Sequence, residues 1–229
     1  MDVRIPARKP ANYLRIYENL FEPLENEAIR LLEIGVKQGG SLLMWNNYFP
    51  KGLIAGIDVN KVEDFPDEPR IHIFVGRQED THFLDEVAQK VAFDGFDIII
   101  DDGSHLGALT KISFWHLFNH HLKPGGLYVI EDWKCGYWDD WPDGRAATSE
   151  REAMPAPAQQ RFPSHDYGMV GFVKELVDEC GADQLSRGSR SGIPTQKSRF
   201  WSMTFSQGLV IVRKMCRTPP CTPRLLPIP

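Results

Sequence analysis

The residues most able to do chemistry in this chain lie in the stretch IIIDDGSH, residues 98–105. Three β-branched apolar residues, which are typical of a buried strand, run directly into two carboxylates, a glycine, a hydroxyl and an imidazole. Imidazole exchanges protons near neutral pH, and a nearby carboxylate can hold it as a general base. His105 is therefore a candidate catalytic base. The alternative is that Asp101 or Asp102 caps the following helix and that His105 is an ordinary first-turn residue.

A second acidic pair, Glu131 and Asp132, ends another apolar run. Neighbouring strands lie about 4.8 Å apart, so Asp102 would meet this pair at one edge of the sheet if the two strands are neighbours. Three carboxylates repel one another unless a hard cation binds them, and Mg²⁺ takes oxygen ligands. The sequence therefore predicts a magnesium site on Asp102, Glu131 and Asp132. Because side chains alternate along a strand, the pair converges only if the chain leaves the pleat there.

Five short apolar runs, with helix-like segments between them, must position these groups. Such a pattern predicts a parallel sheet covered by helices on both faces. The predicted strands are 29–34, 53–59, 71–75, 96–100 and 126–131. The predicted helices are 41–48, 81–93, 109–122 (halted by Pro124-Gly125) and 167–180, and a terminal antiparallel hairpin is expected from 200–205 and 209–212.

The stretch 133–165 is rich in Trp, Pro, Asp and Ala and has no sustained period. We expect a segment without regular structure, either a functional lid or disordered. Its aromatic residues would close over an acceptor or merely pin the segment to the domain. The proline-rich tail, 216–229, is expected to be extended or disordered, which leaves a single domain over residues 1–215. The aromatic residues of the 133–165 segment are Trp133, Tyr137, Trp138, Trp141 and Phe162.

Composition excludes several classes of protein. A chain of 229 residues with 42% hydrophobic content suits one sizeable α/β domain. The net charge of −5 disfavours a nucleic-acid partner, because such proteins carry a clustered basic face. No apolar leader or run of about 18 apolar residues is present, and the four cysteines form no CxxC pair. We therefore expect a cytoplasmic protein with reduced thiols and no membrane partner; homo-oligomerisation stays open.

The ends of the other strands indicate a ligand site, because open α/β sheets bind ligands beyond the carboxyl ends of their strands. Glu33 suits a ligand bearing an ammonium or sulfonium group better than a pyrophosphate. The loop that follows, GVKQGGS (35–41), is not GxGxxG, and a tight turn accounts for its glycines equally well. Asp58 stands where an acid takes a ribose diol. Gln78 and Asp80 open a helix, where capping and adenine contact are alternatives.

The histidines at 116, 120 and 121 form one further cluster. They include an i, i+4 pair that could bind Zn²⁺, but the intervening Leu117-Phe118-Asn119 offers no glutamate of the kind found in zincins. Histidines in the last turn of a helix also suit its dipole, so we expect no metal role for this cluster.

Together these motifs resemble class I S-adenosylmethionine-dependent O-methyltransferases, in particular the macrolide-sugar O-methyltransferases grouped with cephalosporin-hydroxylase-type proteins. A terminal hairpin is also the usual ending of a Rossmann-like methyltransferase sheet and unusual for a nicotinamide-binding one. The motifs that carry the resemblance are LEIGVKQGGSLLMW (32–45), GIDVNK (56–61), RIHIFVGRQED (70–80), FDIIIDDGSH (96–105), LKPGGLYVIEDW (122–133) and GYW (136–138).

The resemblance implies a Rossmann-like, mostly parallel seven-stranded sheet with a C-terminal antiparallel hairpin, and S-adenosylmethionine and Mg²⁺ as cofactors. It also implies that a hydroxyl of a sugar or polyhydroxylated natural product is methylated, with His105 as the base. The residues assigned to the cofactor are Glu33, Gly35, Ser41, Asp58, Gln78, Asp80 and Asp101. Those assigned to Mg²⁺ are Asp102, Glu131 and Asp132, and those assigned to the acceptor pocket are Trp133, Tyr137 and Trp138.

Three alternatives remain at this point. A metal-independent methyltransferase would use His105 alone. A nicotinamide-dependent oxidoreductase would use Asp58 for the ribose, but the absent GxGxxG pattern and the terminal hairpin argue against it. A catalytically silent binding subunit would have no need of intact carboxylates and a histidine at the strand ends.

Overall fold

A seven-stranded sheet forms the centre of the computed structural model, which describes residues 9–152, 164–185 and 196–216. In chain order the strands are β1 Arg30–Ile34, β2 Leu53–Asp58, β3 Ile71–Val75, β4 Phe96–Asp101, β5 Leu122–Glu131, β6 Phe200–Phe205 and β7 Leu209–Lys214. The spatial order is β3-β2-β1-β4-β5-β7-β6. Strands β1 to β5 pair in parallel, and β7 runs antiparallel to both β5 and β6. The predicted fold class is therefore confirmed.

Helices cover both faces of this sheet. They are α1 Ala11–Phe21, α2 Gly40–Tyr48, α3 Thr81–Val91, α4 Gly107–His120, α5 Pro142–Glu152, α6 Gly168–Cys180 and α7 Ala182–Leu185, with short 3₁₀ turns at Glu22–Leu24 and Trp133–Tyr137. One apolar core lies under α3, α4 and α6, and a second lies under α1 and α2. None of the helices in these described ranges is long and apolar enough to cross a membrane.

Strand β4 contributes to both cores, which explains its continuous apolar run. Ile98 and Ile100 pack into the core under α1 and α2, whereas Phe96 and Ile99 pack into the core under α4 and α6. All four are fully buried, and full burial of such a side chain stabilises the fold by about 1.5–3 kcal/mol. A strand buried on both faces holds the acidic residues at its end in a fixed position.

The N-terminal helix α1 was not predicted, although its sequence carries a helical signal. Tyr13, Tyr17 and Phe21 recur every four residues and form the buried stripe of the helix. Pro10 precedes the first turn, a position that tolerates proline because the first amide groups of a helix have no partner within it. Two of these residues, Tyr13 and Tyr17, also hydrogen-bond to acids at the end of β5.

Two other sequence expectations are wrong. The 133–165 segment has regular structure, because it contains α5. This helix begins at Pro142 and has an acidic residue in its first turn, and proline and acidic residues both favour the start of a helix. Pro124 and Gly125 do not follow a helix directly but lie inside β5. They fall where the β4–β5 register shifts between Leu122 and Leu127, so the missing proline amide removes no ladder hydrogen bond.

Parts of three expectations concern residues outside the described ranges. These are the 217–229 part of the tail, residues 153–163 of the predicted lid, and Phe162 within them. Among the cysteines, Cys135 and Cys180 are free thiols. Cys216 is disulfide-bonded, so the expectation of reduced thiols is wrong at that position.

Asp143 in the first turn of α5 joins the starts of two other helices. Its Oδ2 atom accepts a hydrogen bond from the amide of Gly107 in α4 at 2.8 Å and another from the amide of Met169 in α6 at 2.7 Å. Both amides belong to first turns, which lack acceptors within their own helix and carry partial positive charge. One carboxylate therefore fixes α5 against the two helices beside the site.

Replacing Asp143 by Ala should lower the free energy of unfolding by about 3 kcal/mol, because two hydrogen bonds to a charged group are lost. Urea denaturation measures the change. Asp140→Ala is the matched control: its side chain is exposed in the same segment, and its loss should cost less than about 0.5 kcal/mol. Equal changes in the two variants would contradict the role of Asp143.

Candidate active site

A cavity of about 730 Å³ opens at the carboxyl ends of the parallel strands. It lies where the strand order reverses between β1 and β4, the place at which open α/β sheets bind their ligands. Its volume falls within the range of about 300–1,000 Å³ that is typical of small-molecule sites. The predicted site residues that line it are Gly35, Ser41, Asp58, Gln78, Asp102, His105, Glu131 and Asp132.

The backbone leaves regular geometry around this cavity. Lys37, His105 and Asp132 have φ values of 55°, 52° and 52°, and they are three of the four non-glycine residues with positive φ in the described ranges. Such conformations cost about 1–3 kcal/mol each and cluster at functional sites. At Asp132 the turn breaks the alternation of β5, so that Glu131 and Asp132 both line the cavity, as the sequence analysis required.

Lys9, which the sequence analysis did not single out, lies among the buried carboxylates. Its Nζ atom is 3.0 Å from Glu33 Oε1, 3.0 Å from Asp102 Oδ2 and 2.6 Å from Glu131 Oε1. Only 4% of the Lys9 side chain is exposed, and Glu33 is fully buried. Glu33 was predicted to face a ligand's ammonium group, and in the structure it faces an ammonium group of the chain itself.

Two tyrosines of α1 donate hydrogen bonds to the acidic pair at the end of β5. The Tyr17 hydroxyl donates to Glu131 Oε1 at 2.6 Å, and the Tyr13 hydroxyl donates to Asp132 Oδ1 at 2.6 Å. Residues four apart lie on one face of a helix, which lets a single helix reach both acids. Burial and the nearby carboxylates raise the pKa of both phenols, so they stay protonated and act as donors.

Burial and charge act against each other in this cluster. Burial raises the pKa of Glu131 to about 7, although Lys9 opposes the rise. Burial likewise raises the pKa of Glu33, again against the effect of Lys9. For Lys9, burial alone would lower the pKa, but Glu33, Glu131 and Asp102 raise it well above its ordinary value. Lys9 is therefore a permanent cation in the structure.

His105 lies on the open side of the same cluster. Its Nε2 atom is 3.8 Å from Asp102 Oδ1, which is beyond hydrogen-bond distance. Trp141 Nε1 donates to the His105 carbonyl at 3.2 Å, and the two rings lie 5.9 Å apart. Ligand atoms of Asp102, His105 and Asp132 lie within 4.8 Å of one another, as do those of Glu33, Asp102 and Glu131. Asp102 belongs to both sets.

Asp101 and Gln78 fix the DDGSH loop, residues 101–105, through buried hydrogen bonds. Asp101 is buried and accepts hydrogen bonds from Ser113 Oγ at 3.1 Å and from the Tyr128 hydroxyl at 3.2 Å. Gln78 Oε1 accepts from the Ser104 amide at 2.9 Å. Burial raises the pKa of Asp101 to about 6, although the hydrogen bonds from Ser113 and Tyr128 oppose that rise.

Asp58 orients the glycine loop. Its Oδ2 atom accepts hydrogen bonds from the amides of Val36 and Lys37 at 2.9 Å, and Oδ1 accepts from the amide of Asn60 at 2.8 Å. Gly35 has φ +88°, and a Cβ there would lie 2.1 Å from the Asp102 carbonyl oxygen. Only glycine allows the β1 loop and the β4 loop to approach so closely.

Other predicted residues lie around this centre. Ser41 lines the cavity, and its hydroxyl opposes the rise in the pKa of Glu33 that burial causes. Asp80 accepts from the Phe83 amide at 3.1 Å and so caps α3, which was one of its two predicted roles. His116 and His121 share a carboxylate oxygen of Asp85 on the surface, at 2.7 and 2.6 Å.

Trp133, Tyr137 and Trp138, the three aromatic residues predicted for the acceptor pocket, are not among the residues that line the cavity. Trp133 packs on Tyr137 and on Phe205, with ring centroids 6.0 and 6.3 Å apart. Trp138 is 44% exposed. Trp141, from the same segment, is the tryptophan of the described residues that lines the cavity.

The chain is similar in sequence to known O-methyltransferases. No family model matches the chain. It is 36% identical over 201 residues to the mycinamicin VI 2''-O-methyltransferase of Micromonospora griseorubida, covering 78% of this chain and 49% of that protein. It is 35% identical over 210 residues to the 8-demethyl-8-alpha-L-rhamnosyl tetracenomycin-C 2'-O-methyltransferase of Streptomyces olivaceus, covering 88% and 50%. The chain is therefore similar to these two O-methyltransferases over most of its own length.

Solved structures agree with the sequence relatives. The MycE methyltransferase of the mycinamycin biosynthetic pathway, determined in complex with Mg, SAH and mycinamycin VI, superimposes on this chain with a TM-score of 0.65. The two are 33% identical, and the match covers 89% of this chain and 49% of that one. An O-methyltransferase from Bacillus cereus, 13% identical with a TM-score of 0.51, supports the fold alone. The chain spans about half the length of the curated relatives it matches.

The raised pKa of Asp101 predicts how the stability of the protein varies with pH. Its folded value, about 6, lies above the ordinary value of 3.8. Folding therefore favours the protonated form, and this contribution is present below about pH 4 and lost as the pH rises through 6. Between pH 4 and 7 the free energy of unfolding of the wild type should fall by up to about 3 kcal/mol more than that of Asp101→Asn. Urea denaturation across this range tests it, and parallel curves would contradict it.

Proposed function

We propose that the chain acts as an S-adenosylmethionine-dependent, Mg²⁺-dependent O-methyltransferase on a hydroxyl of a sugar or polyhydroxylated natural product. The observation that carries the proposal is the convergence of Asp102, Asp132 and His105 in one cavity at the reversal of strand order. The identity of 36% to a 2''-O-methyltransferase supports the same reaction class.

The cavity residues fit the proposed cofactor. Gly35 gives close backbone approach, and Ser41 and Gln78 line the wall. The Asp58 carboxylate accepts three backbone hydrogen bonds. A carboxylate has about four acceptor positions, so one remains for a ribose hydroxyl. Three other residues assigned to the cofactor would act from behind the wall, by positioning the loops: Glu33, Asp80 and Asp101.

The donor set also fits the proposed metal. Asp102, Glu131 and Asp132 supply the hard oxygen ligands that Mg²⁺ prefers, and Mg²⁺ usually leaves several positions to water or substrate. The three acids and Glu33 together carry four potential negative charges, against the single positive charge of Lys9 among them. The cluster therefore has charge left for a divalent ion.

When bound, S-adenosylmethionine would supply the electrophilic methyl group, and Mg²⁺ would supply positive charge that lowers the pKa of a hydroxyl beside it. His105 is placed to take the proton of that hydroxyl, because its ring lines the cavity next to Asp102. Trp141 fixes the His105 backbone through its indole hydrogen bond and covers one side of the cavity. Holding both reactants in one cavity replaces a bimolecular encounter by an oriented one.

The acceptor and its setting belong to the same proposal. Trp133, Tyr137 and Trp138 would form the outer acceptor surface, with Trp141 nearer the reacting atoms. Residues 1–215 would form one catalytic domain in the cytoplasm, with a small-molecule acceptor as partner, no nucleic-acid or membrane partner, and oligomerisation open. The antiparallel β7, inserted beside β5, favours this reaction over the nicotinamide alternative.

Isothermal titration of the metal-stripped protein tests the proposal. Titration with S-adenosylhomocysteine should show saturable binding, and Mg²⁺ should then give a heat that Asp102→Asn loses. Cofactor binding without any Mg²⁺ effect would leave a metal-independent methyltransferase. Failure to bind the cofactor, together with tight binding of NAD, would overturn the proposal.

Replacing His105 by Ala should reduce turnover at least about 100-fold, because a general base contributes about 10²–10⁴-fold. Affinity for S-adenosylhomocysteine should stay within a few-fold of the wild type. Turnover is measured on an acceptor found by screening glycosides with adjacent hydroxyls. Unchanged turnover would remove His105 as the base.

A further inference from the structure

The carboxylate cluster contains two overlapping sets of three ligand residues, both described above: Glu33 with Asp102 and Glu131, and Asp102 with His105 and Asp132. In each set one ligand atom per residue lies within 4.8 Å of the others. Two such sets sharing one carboxylate could hold two cations side by side, as in enzymes that use pairs of metal ions about 3.5–4 Å apart.

The structure fills one of these two positions with a side chain. The Lys9 ammonium touches all three members of the buried set, through Glu33 Oε1, Asp102 Oδ2 and Glu131 Oε1. The other oxygen of Asp102, Oδ1, faces His105 in the second set. A single carboxylate thus serves the Lys9 ammonium with one oxygen and the open position with the other.

We propose that Lys9 is a built-in cation that makes the site mononuclear. It occupies the buried position among Glu33, Asp102 and Oε1 of Glu131, and leaves one exchangeable divalent-ion position at Asp102, Asp132 and the second oxygen of Glu131. This inference rests on the metal site of the proposed function. Lys9 then determines how many metal ions the cluster takes and which acids they use.

The placement of Lys9 is built into the fold. It directly precedes Pro10 and α1, and the α1 residue Tyr17 donates to the same Glu131 oxygen that Lys9 contacts. Tyr17 also packs on Trp45 of α2, with ring centroids 5.2 Å apart. The packing of α1 therefore fixes the position of the Lys9 ammonium next to the acids. The Lys9 side chain is almost entirely buried, unlike that of a surface lysine.

Charge explains why the buried position needs a permanent occupant. Glu33 and Glu131 are almost entirely buried, and an uncompensated buried carboxylate is strongly unfavourable. A dissociable ion would leave both acids without a cationic partner whenever the metal is lost. A tethered ammonium gives both acids a cationic partner in the presence and absence of metal.

Counting bound Mn²⁺ by the electron paramagnetic resonance signal of the free ion tests the inference, in the presence of saturating S-adenosylhomocysteine. Wild type and Lys9→Arg should bind one ion. Lys9→Met, which keeps the length of the side chain without its charge, should bind two. Lys61→Met is the matched control, since Lys61 is exposed and pairs with Glu63 away from the cluster; it should bind one ion.

The outcomes separate the two proposals. No Mn²⁺ binding by the wild type would overturn the metal site itself. One ion in the wild type and one in a folded Lys9→Met would overturn only the role of Lys9, as would two ions in the wild type. If Lys9→Met is unstable without metal, Mn²⁺ should raise its melting temperature much more than that of the wild type. An equal rise would overturn the role of Lys9.

Discussion

Strands β1, β4 and β5 carry carboxylates at their carboxyl ends, and the elements around them must hold these charges together. Parallel strands that carry acids at their carboxyl ends bring those acids together at one edge, where they repel. Glu33, Asp102 and Glu131 all approach one ammonium group, that of Lys9. The position of α1, the two tyrosine hydrogen bonds and the left-handed turn at Asp132 are all parts of this arrangement.

A second layer of residues keeps the acids and the imidazole in place from outside the group of acids that contact Lys9. Asp101 anchors the DDGSH loop, Asp58 anchors the glycine loop, and Asp143 joins the starts of α4 and α6 to α5. Each of these carboxylates accepts at least two hydrogen bonds. The acids around the cavity therefore divide into those that face a cation and those that hold backbone amides or neighbouring side chains, and the amino-acid type alone does not distinguish them.

Much of the fold could be predicted from the sequence, because buried parallel strands are continuous apolar runs and their ends carry the site. The predicted strands agree with β1 to β5 within a few residues, and the pairing of β4 with β5 brings Asp102 to Glu131 as expected. The sequence could not show that Asp80 caps α3 or that Asp101 is a buried hydrogen-bond acceptor. An acid that follows a strand has the same sequence pattern whether it binds a ligand or stabilises the fold.

Lys9 could not be predicted in the same way. It lies 93 residues from Asp102 and 122 from Glu131, and no periodicity links a lysine before a helix to acids at distant strand ends. The four-residue spacing of Tyr13, Tyr17 and Phe21 was the one available signal for α1. Similarly, Pro124 reads as a helix stop because its ring excludes a helix interior, whereas a register shift in the sheet accommodates it equally well.

On this proposal the acid cluster holds one tethered cation and one exchangeable cation. Anomalous diffraction from a crystal grown with Mn²⁺ and S-adenosylhomocysteine locates both. A single Mn²⁺ peak is expected within coordination distance of Asp102 and Asp132, with the Lys9 ammonium still among Glu33, Asp102 and Glu131. A peak in the position of the Lys9 ammonium, with Lys9 displaced into solvent, would contradict it.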